Sequence, residues 1–531
     1  MRAPQRKSAA TFWRKPLPVC LAAALLSANA VADDRSSGAF DRFAFPASMA
    51  AKWSAPNYGP DHLASTTLEV SSCNDDGSPG TLRAVIGAAG DGDTVDMSLL
   101  TCSTITLAAG QIVVDQDDLE IRASSDNPVT IDAANASRII AHGGHGLLRL
   151  TNLELTSGYV KYESATAFGG CIVSLGEVYL GHSDVTGCRV ASPASTAAGG
   201  AVFAEGYVYL VYSSVAGSSA TGVDAEGGGI WSYGIGALRS SISGNSALST
   251  TDDPSQSLAR GGGFLVKGGL IAEYLTVTNN SAASTYGFAI GGGGLVVSSA
   301  MQLLFSTVSG NSATSPGSNG GGLALSGTDA AHYVLYSTID HNQSVNNAAL
   351  AFYGTASRPN FIWNSTISSN IATTGSSAIF ASNPLYVYNS TIAFNRSAGS
   401  CAGVYLYSGG NAVIASTIIS NNTSTAGGGF DIVARAAVSG SHDLIQNPGS
   451  TVPGDTIVGT DPLLGPLADN GGPTLTHALA PTSAAIDFGF NPRNLVLDQR
   501  LAARVFGVAA DIGAYEWQGV TDTIFANGFD P

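Results

Sequence analysis

Short apolar stretches alternate with polar turn residues through the middle of the chain. A Ser-Thr-Val or Ser-Thr-Ile unit with a β-branched centre returns at steps of 25–35 residues, and in most copies an Asn stands three residues after that centre. A glycine run followed by apolar residues lies between many copies, as in GGGLAL at 320–325. A period of this length is typical of repeat proteins. The β-branched centres are Val185, Val215, Ile242, Val277, Val308, Ile339, Ile367, Ile392 and Ile418.

Each repeat predicts two or three short strands. β-Branched residues bounded by Gly, Asn and Ser are typical of strands, and the repeats show no apolar period of 3.6 residues. Short strands in repeats of variable length favour a right-handed parallel β-helix, in which the strands of one coil lie on those of the next at about 4.8 Å. The sequence therefore predicts an all-β solenoid, which needs a cap at each end to hide its edge strands.

The recurring Asn has a predicted structural role. It stands where the chain must turn inward, it tolerates left-handed backbone angles, and its amide is both a donor and an acceptor. Amides stacked in register can hydrogen-bond from coil to coil and so satisfy a buried turn. The predicted ladder consists of Asn245, Asn280, Asn311, Asn342, Asn370, Asn395 and Asn421.

The composition limits what the chain can bind. Only 12% of its 531 residues are charged, the formal net charge is -16, and no cluster of Lys or Arg follows the first fifteen residues. This balance argues against a nucleic-acid partner, because phosphate binding needs clustered cations. The acidic segments at 74–80, 90–96 and 115–118 lack the ligand spacing of an EF-hand loop. The sequence therefore predicts neither a metal site nor a cofactor.

The first 32 residues have the pattern of a secretory signal peptide. Basic residues precede the apolar run VCLAAALL, and Ala-Asn-Ala and Ala-Val-Ala follow as cleavage sites. The alternative is a lipoprotein acylated on Cys20, which the large Val19 disfavours. No other apolar run is long enough to span a bilayer, so the prediction is an exported chain without a transmembrane segment after processing.

Export makes disulfides possible. Five cysteines follow the predicted signal peptide, so one thiol is left over. Sequence order suggests pairs between Cys73 and Cys102 and between Cys171 and Cys188, with Cys401 free. Since there is no Cys-x-x-Cys pair and no zinc-like spacing, all five are interpreted as staples or small core residues.

The outward positions of the Ser-Thr-Ile strand are the candidate functional surface. Side chains alternate along a strand, so residues one and three places before the inward centre are expected to face outward. The nearer column is almost entirely hydroxyl. The farther column is an aromatic stripe interrupted by one cation, and it reads His182, Tyr212, Arg239, Tyr274, Phe305, Tyr336, Asn364, Asn389 and Ala415.

This surface favours binding over catalysis. Stacked rings can simply stabilise neighbouring strands. Exposed rings beside hydroxyls also suit a sugar or another protein. The predicted partner is a polysaccharide or a surface protein, held by Tyr212, Arg239, Tyr274, Phe305 and Tyr336.

An enzyme is the alternative, because β-helix folds also carry polysaccharide lyases and glycoside hydrolases. Such sites need clustered carboxylates, or acids with Arg or Lys, on adjacent coils. On the candidate face only His182, Asp184 and Arg239 could form such a group, and His182 and Arg239 lie about 10 Å apart. These three are the residues to test for catalysis.

Three regions resemble known families of exported bacterial proteins. The repeats are similar to those of polymorphic outer membrane proteins, in GGAV at 199–202 and IAFN at 392–395. The stretch from Cys73 to Ile131 resembles the N-terminal domain named for a Cys-Ser-Leu-Arg-Glu-Ala motif and keeps Leu82 and Arg83 of that motif. Its LRAVIGAA segment predicts a short helix that closes the first coil.

The C-terminal region resembles the choice-of-anchor Q domain of bacterial surface proteins. The resemblance rests on 461–489, on DQR at 498–500 and on DIGAYE at 511–516, with Leu501 where that family usually has Gly. It implies an adhesin-like, outwardly displayed β-helix, extracellular or on the outer surface of a Gram-negative bacterium.

The predicted organisation follows from these segments. The predicted regions are a signal peptide at 1–32, a flexible segment at 33–66, an N-terminal cap with the first coils at 67–157, β-helix repeats at 158–445, the anchor-type region at 446–516 and a tail at 517–531.

Overall fold

The computed structural model describes most of the chain that follows the predicted export signal. The described residues are 66–326, 331–354, 358–375, 377–407 and 410–519. The predicted signal peptide, nearly all of the predicted flexible segment, and the predicted tail from residue 520 onward lie outside them. Within the described part, no helix has the length and apolarity needed to cross a membrane.

Alternating burial shows why the repeats form strands. In Leu119–Arg122 and Val129–Asp132 every second side chain is buried, which is the period of a strand with one face in a core. Equivalent strands of successive coils pair in parallel and in register, so that Val185 lies opposite Val215 and Val215 lies opposite Ile242. The prediction of an all-β parallel β-helix is confirmed.

The coils build three parallel sheets, here called the large, second and third sheets. The large sheet contains Thr67–Glu69, Thr94–Asp96, Ile112–Val114, Leu119–Arg122, Ile140–His142, Leu147–Thr151, Ile172–Ser174, Glu177–Gly181, Val202–Val211, Ile230–Leu238, Phe264–Val266, Leu270–Glu273, Gly294–Val296, Met301–Leu304, Leu323–Leu325, Tyr333–Leu335, Leu350–Phe352, Asn360–Trp363, Ile379–Ala381, Leu385–Tyr388, Cys401–Leu406, Ala412–Ala415, Phe430–Ala434 and Val438–Ser441. The second sheet contains Thr104–Thr106, Val129–Asp132, Leu153–Thr156, Asp184–Thr186, Ser214–Ala216, Ser241–Ser243, Thr276–Thr278, Thr307–Ser309, Thr338–Asp340, Thr366–Ser368, Thr391–Ala393, Ile418–Ser420, Leu444–Ile445 and Ile457–Val458. The third sheet contains Tyr159–Lys161, Ala167–Phe168, Arg189–Ala198, Ser219–Glu226, Ser246–Ser249, Leu258–Arg260, Ser281–Ser284, Phe288–Ile290, Ser312–Thr314, Gln343–Ser344, Ile371–Ala372, Arg396–Ser397 and Thr423–Ser424.

An asparagine ladder runs inside the coils, beside the second sheet. The Nδ2 of Asn280 donates to Oδ1 of Asn311 at 2.9 Å and to the carbonyl of Ile242 at 2.9 Å. Its Oδ1 accepts from the backbone and the side chain of Asn245, both at 3.0 Å. Each such amide is thereby fully satisfied although it is buried, which removes the free-energy cost of an unpaired buried polar group.

The last coil differs from the predicted alignment by one residue. Ile419, and not Ile418, lies opposite Ile392, and Asn395 donates to Asn422, and not to Asn421. The repeat STIISNN holds two isoleucines and two asparagines in succession, so the pattern alone fits both registers. Ile418 faces outward and is buried in a separate cluster with C-terminal residues. Both the inward and the outward position of this strand therefore carry an apolar residue.

In the ladder turns, the residue with left-handed backbone angles is the one that precedes the ladder Asn. Gly244, Asn279 and Gly310 have φ of 63°, 56° and 66°. The residue after each is the ladder Asn, whose side chain turns into the core. The expectation that the ladder Asn itself takes the left-handed angle is therefore wrong. Asn421, with φ of 56°, occupies this preceding position in its own coil.

Two disulfides staple the N-terminal half. Cys73 bonds Cys102 and Cys171 bonds Cys188, as the sequence order predicted, while Cys401 is free and buried. Such cross-links stabilise mainly by restricting the unfolded chain.

A short helix, α1 (Leu82–Ala88), covers the first coil. Thr81 precedes the helix, and its side chain accepts from the backbone of Ala84, a standard N-cap. Leu82 and Ile86 are buried in the core, and Arg83 pairs with Asp75 at 2.9 Å. The helix and its ion pair thus close the N-terminal end of the solenoid.

Residues 461–519 fold back over the outer face of the second sheet, and they are called the C-terminal cover. The cover begins with an antiparallel hairpin of Leu464–Ala468 and Thr476–Leu479. Thr338 of the second sheet donates from Oγ1 to the carbonyl of Leu475 at 2.6 Å.

The contacts of the cover continue along the same column of the sheet. Thr366 Oγ1 donates to Gln499 Oε1 at 2.7 Å, and the backbone N–H of Ala514 donates to Thr391 Oγ1 at 3.1 Å. The threonine column was expected to face solvent throughout, but Thr366 and Thr391 are buried. The C-terminal cover buries both of these side chains.

Candidate functional site

The aromatic stripe lies at a turn between the large and second sheets, and not on a strand. Tyr212, Arg239 and Tyr274 have φ of 52°, 46° and 53°, a left-handed conformation that few non-glycine residues adopt. The same turn recurs on successive coils from Asn152 to His442, so these side chains project from one corner of the solenoid, one above another. The predicted alignment of the stripe is retained as far as Asn389, but in the next coil Ser416, and not Ala415, holds the turn, with φ of 54°. The predicted strand geometry of the stripe is wrong.

Stacking orders the side chains at this corner. The rings of His182 and Tyr212 lie parallel at 5.0 Å with an interplanar angle of 2°. The guanidinium of Arg239 lies 4.6 Å from the ring centre of Tyr274, and Tyr274 stacks on Phe305 at 5.1 Å. Ring stacking and cation–π contact restrict the rotamers of these groups.

A depression with a volume of about 470 Å³ lies along this corner and the adjoining second sheet. Tyr212, Arg239 and Tyr274 line it from the turn, and Asp184 lies at one end. The rest of its lining is hydroxyl, and it consists of Ser213, Ser214, Ser240, Ser241 and Thr276. The surface thus combines aromatic faces, one cation, one carboxylate and a row of hydroxyls.

The two charged ends of the depression have different environments. Asp184 is exposed and accepts a hydrogen bond from the hydroxyl of Ser214 on the next coil. Arg239 is exposed, and the carboxyl of Glu273 lies buried near it. Burial raises the pKa of the Glu273 carboxyl, and the positive charge of Arg239 opposes that shift. Sequence inspection did not single out Glu273, because it precedes the turn in an otherwise apolar strand.

The structure brings some of the predicted site residues together and separates others. Of the proposed catalytic set, Asp184 and Arg239 both line the depression, whereas His182 stacks on the ring of Tyr212. Phe305 is only 3% exposed, between the rings of Tyr274 and Tyr336.

Tyr336 is not displayed as predicted either. It is half-buried, and Thr474 of the C-terminal cover donates to its carbonyl at 3.2 Å. Burial raises the pKa of the Tyr336 hydroxyl, and a hydrogen bond with Asn364 opposes the shift. The available part of the stripe therefore ends at Tyr274, and the open surface is shorter than the sequence predicted.

The acidic segments near the N-terminus form a second depression, lined by Asp91, Asp115, Gln116 and Asp117. Asp91 accepts from the backbone of Asp118 at 2.7 Å, and Asp117 accepts from the backbone of His145 at 2.8 Å. Within the described residues, no three His, Cys, Asp or Glu side chains converge as metal ligands. The carboxylates of Asp91 and Asp117 therefore serve to satisfy backbone donors of neighbouring coils.

Comparison with known proteins adds little to this geometry. No protein-family model matches the chain, and no curated protein matches it. Among solved structures, the chain is similar to the crystal structure of pectate lyase Pel9A, with 14% identity, a TM-score of 0.31, and coverage of 86% of this chain and 97% of that chain. No activity is inferred from a likeness of this strength. The strand pairing itself defines the class, a parallel β-helix protein with a polar surface depression.

Proposed function

We propose that this protein is an exported β-helix scaffold that binds a glycan in the depression at Asp184, Tyr212, Arg239 and Tyr274. The carrying observation is that the exposed ring of Tyr212 and the half-buried ring of Tyr274 adjoin a floor of hydroxyls in one depression. Aromatic faces pack on the apolar faces of sugar rings, and hydroxyls exchange hydrogen bonds with sugar hydroxyls. A protein partner and a polysaccharide-cleaving activity are the alternatives that the experiment below separates.

The two disulfides support an oxidising, extracellular location. The resemblance to choice-of-anchor Q proteins and to the Cys-Ser-Leu-Arg-Glu-Ala domain supports display on the outer surface of a Gram-negative bacterium. In this proposal the C-terminal cover corresponds to the anchor-type region. The solenoid would then serve as a rigid arm that presents the depression.

The test is retention of the mature chain on a panel of immobilised neutral and acidic polysaccharides. We expect Tyr212→Asn to lower retention by about fivefold or more, taking as a guide the roughly 1–3 kcal/mol that a nucleic-acid base gains by stacking on an aromatic side chain. Asn is chosen because Asn364 and Asn389 hold the same left-handed turn in later coils, with φ of 42° and 46°. The variant should therefore fold.

Tyr286→Asn is the matched control. Tyr286 is 51% exposed and Tyr212 is 49% exposed, but Tyr286 does not line the depression. Equal retention of both variants and the unchanged protein would contradict the proposal. Release of unsaturated or reducing ends that is lost in Asp184→Ala would replace it with a polysaccharide lyase or hydrolase.

A further inference from the structure

The turn at Arg239 and the ring of Tyr274 together fix the orientation of the Arg239 side chain. Its left-handed backbone projects the side chain from the corner of the coil, and its guanidinium lies 4.6 Å from the ring centre of Tyr274. Tyr274 is in turn backed by the buried ring of Phe305. The guanidinium is thus pre-oriented, which lowers the entropy cost of binding.

The donors of that guanidinium are not used by any residue that the structure describes. Among the described residues, no acceptor lies within hydrogen-bond distance of the Arg239 side chain, and no carboxylate lies within 4.0 Å of it. By contrast, Arg83, Arg122 and Arg500 each hold a carboxylate, at 2.9, 2.8 and 2.7 Å. A guanidinium has five donors in a planar fork that matches a carboxylate or sulfate group.

We propose that Arg239 makes the depression selective for a glycan that carries an anionic group, a carboxylate or a sulfate. The inference rests on the proposed glycan-binding function. The anionic group would lie at the Arg239 end, because Asp184 is about 10 Å away, two coils along the solenoid. The neutral hydroxyls of the sugar would then lie over Ser214, Ser241 and Thr276, which line the floor.

The charge at the Asp184 end limits the number of anionic groups. A second anionic group placed near that carboxylate would be repelled, whereas a hydroxyl can donate to it. The depression therefore suits one anionic group per bound segment, with uncharged hydroxyls beside it. A densely charged polyanion gains no further cation within this depression, since Arg239 is the single cationic residue of its lining.

The experiment measures binding of matched acidic and neutral probes to the mature protein. The pairs are sparsely de-esterified polygalacturonate methyl ester with its fully methyl-esterified form, and lightly sulfated dextran with dextran, so that carboxylate and sulfate are distinguished. Hydrogen bonds to a charged group contribute about 1.5–3 kcal/mol, which corresponds to about 10–150-fold in affinity. We expect at least about tenfold preference for one acidic member, and a weaker preference at high salt.

Arg239→Gln should remove this preference by weakening binding of the acidic probe more than binding of the neutral probe, and Arg239→Lys should restore part of it by charge alone. The matched control is Arg149→Gln, because Arg149 also lies over a tyrosine ring, at 4.8 Å from Tyr179, on the large sheet. It should leave the preference intact.

The outcomes separate the inference from the function on which it rests. Equal binding of acidic and neutral probes that is lost in Tyr212→Asn would overturn the anionic selectivity and keep the glycan site. A preference that survives Arg239→Gln would also overturn the inference, since another group would then select the anion. Binding of no probe, or binding unaffected by Tyr212→Asn, would overturn both.

Discussion

The outer face of the second sheet has an open half and a covered half that are built from the same repeat. In the open half, Tyr212 and Arg239 stand at the left-handed turn and Thr276 faces solvent. In the covered half, Asn364 stands at the same turn and Thr366 is buried. The backbone is equivalent in both halves, whereas the side chains at the turn differ.

Side-chain size at the turn differs between the open coils and the covered coils of Asn364 and Asn389. Asn364 and Asn389 are short enough to let the C-terminal cover approach, and their Nδ2 atoms donate to the carbonyls of Leu497 and Phe490 at 2.7 and 3.0 Å. A tyrosine or arginine at either place would occupy the space of the cover. In these two coils a short turn residue accompanies the internal interface, whereas at the boundary coil Tyr336 stands at the turn although Thr338 is already covered.

The cover is held by charges that are themselves buried. Arg504 is fully buried; its guanidinium donates to the carbonyl of Gly513 at 2.9 Å, and it lies 3.7 Å from the carboxylate of Glu516. Asp498 pairs with Arg500 at 2.7 Å and also accepts from the backbone of Glu516 at 3.0 Å. Apart from Arg504, these are residues of the DQR and DIGAYE segments, so Arg504 and those two segments together hold the cover in its folded shape.

The largest expected effect comes from breaking this buried network. Arg504→Met should lower the free energy of unfolding of the cover by about 3–5 kcal/mol, because it leaves Glu516 buried without its cation. Hydrogen exchange should then rise at the amide of Ala514, which is bonded to Thr391. The open half should keep its exchange rates and its ligand binding.

The control is Arg396→Gln, because Arg396 is exposed on the third sheet and its loss should change stability by less than about 0.5 kcal/mol. Unchanged exchange at Ala514 in the Arg504 variant would show that the cover is held by its other contacts.

A smaller effect is expected inside the solenoid, where the two halves should not differ. Asn280 lies beneath the open half and Asn370 beneath the covered half, and both are fully bonded within the ladder. Replacement of either by Ala should lower the free energy of unfolding by about 2–4 kcal/mol, since it leaves buried donors and acceptors unpaired. Chemical unfolding of both variants measures this.

Asn421→Gly is the matched control for the ladder. Asn421 lies one residue before the ladder position and has φ of 56°, so Gly fits its backbone and the loss should stay below about 0.5 kcal/mol. A large loss in this variant would contradict the assignment of Asn422 to the ladder.

Much of the solenoid could be predicted because its repeat is local. The position of the β-branched centre and the Asn three residues later fix the strand and the turn of each coil, and the two disulfides follow the chain order. The last coil could not be predicted, since Ile418 and Ile419 fit the same pattern equally well. Only the pairing with Ile392 decides between them.

The candidate site was harder to predict than the fold. The stripe of turn residues was visible in the sequence, but the part of it that is exposed depends on contacts more than a hundred residues apart, such as Thr366 with Gln499 and Asn364 with Leu497. A repeat pattern says nothing about which coils a distant segment covers. The predicted exposure of Tyr336 fails for that reason, because Thr474 of the cover lies against it.

The smallest effect on stability, and the most direct test of the comparison, is an exchange of turn residues. Tyr212→Asn in the open half should change the free energy of unfolding by less than about 1 kcal/mol, since an exposed ring is removed and Asn tolerates the left-handed turn. Asn364→Tyr in the covered half should cost about 1–3 kcal/mol, because the larger side chain is forced against the cover. Thermal unfolding of both variants compares them.

The two variants should also differ in the hydrogen exchange of the C-terminal cover. If the cover is excluded by size at the turn, Asn364→Tyr should raise the hydrogen exchange of the cover near Leu497, whose carbonyl loses its donor, while Tyr212→Asn leaves the cover unchanged. Equal and small effects of both would mean that the turn residue does not decide between an open and a covered coil. The boundary of the binding surface would then be set by the cover alone, through contacts such as those of Gln499 with Thr338 and Thr366.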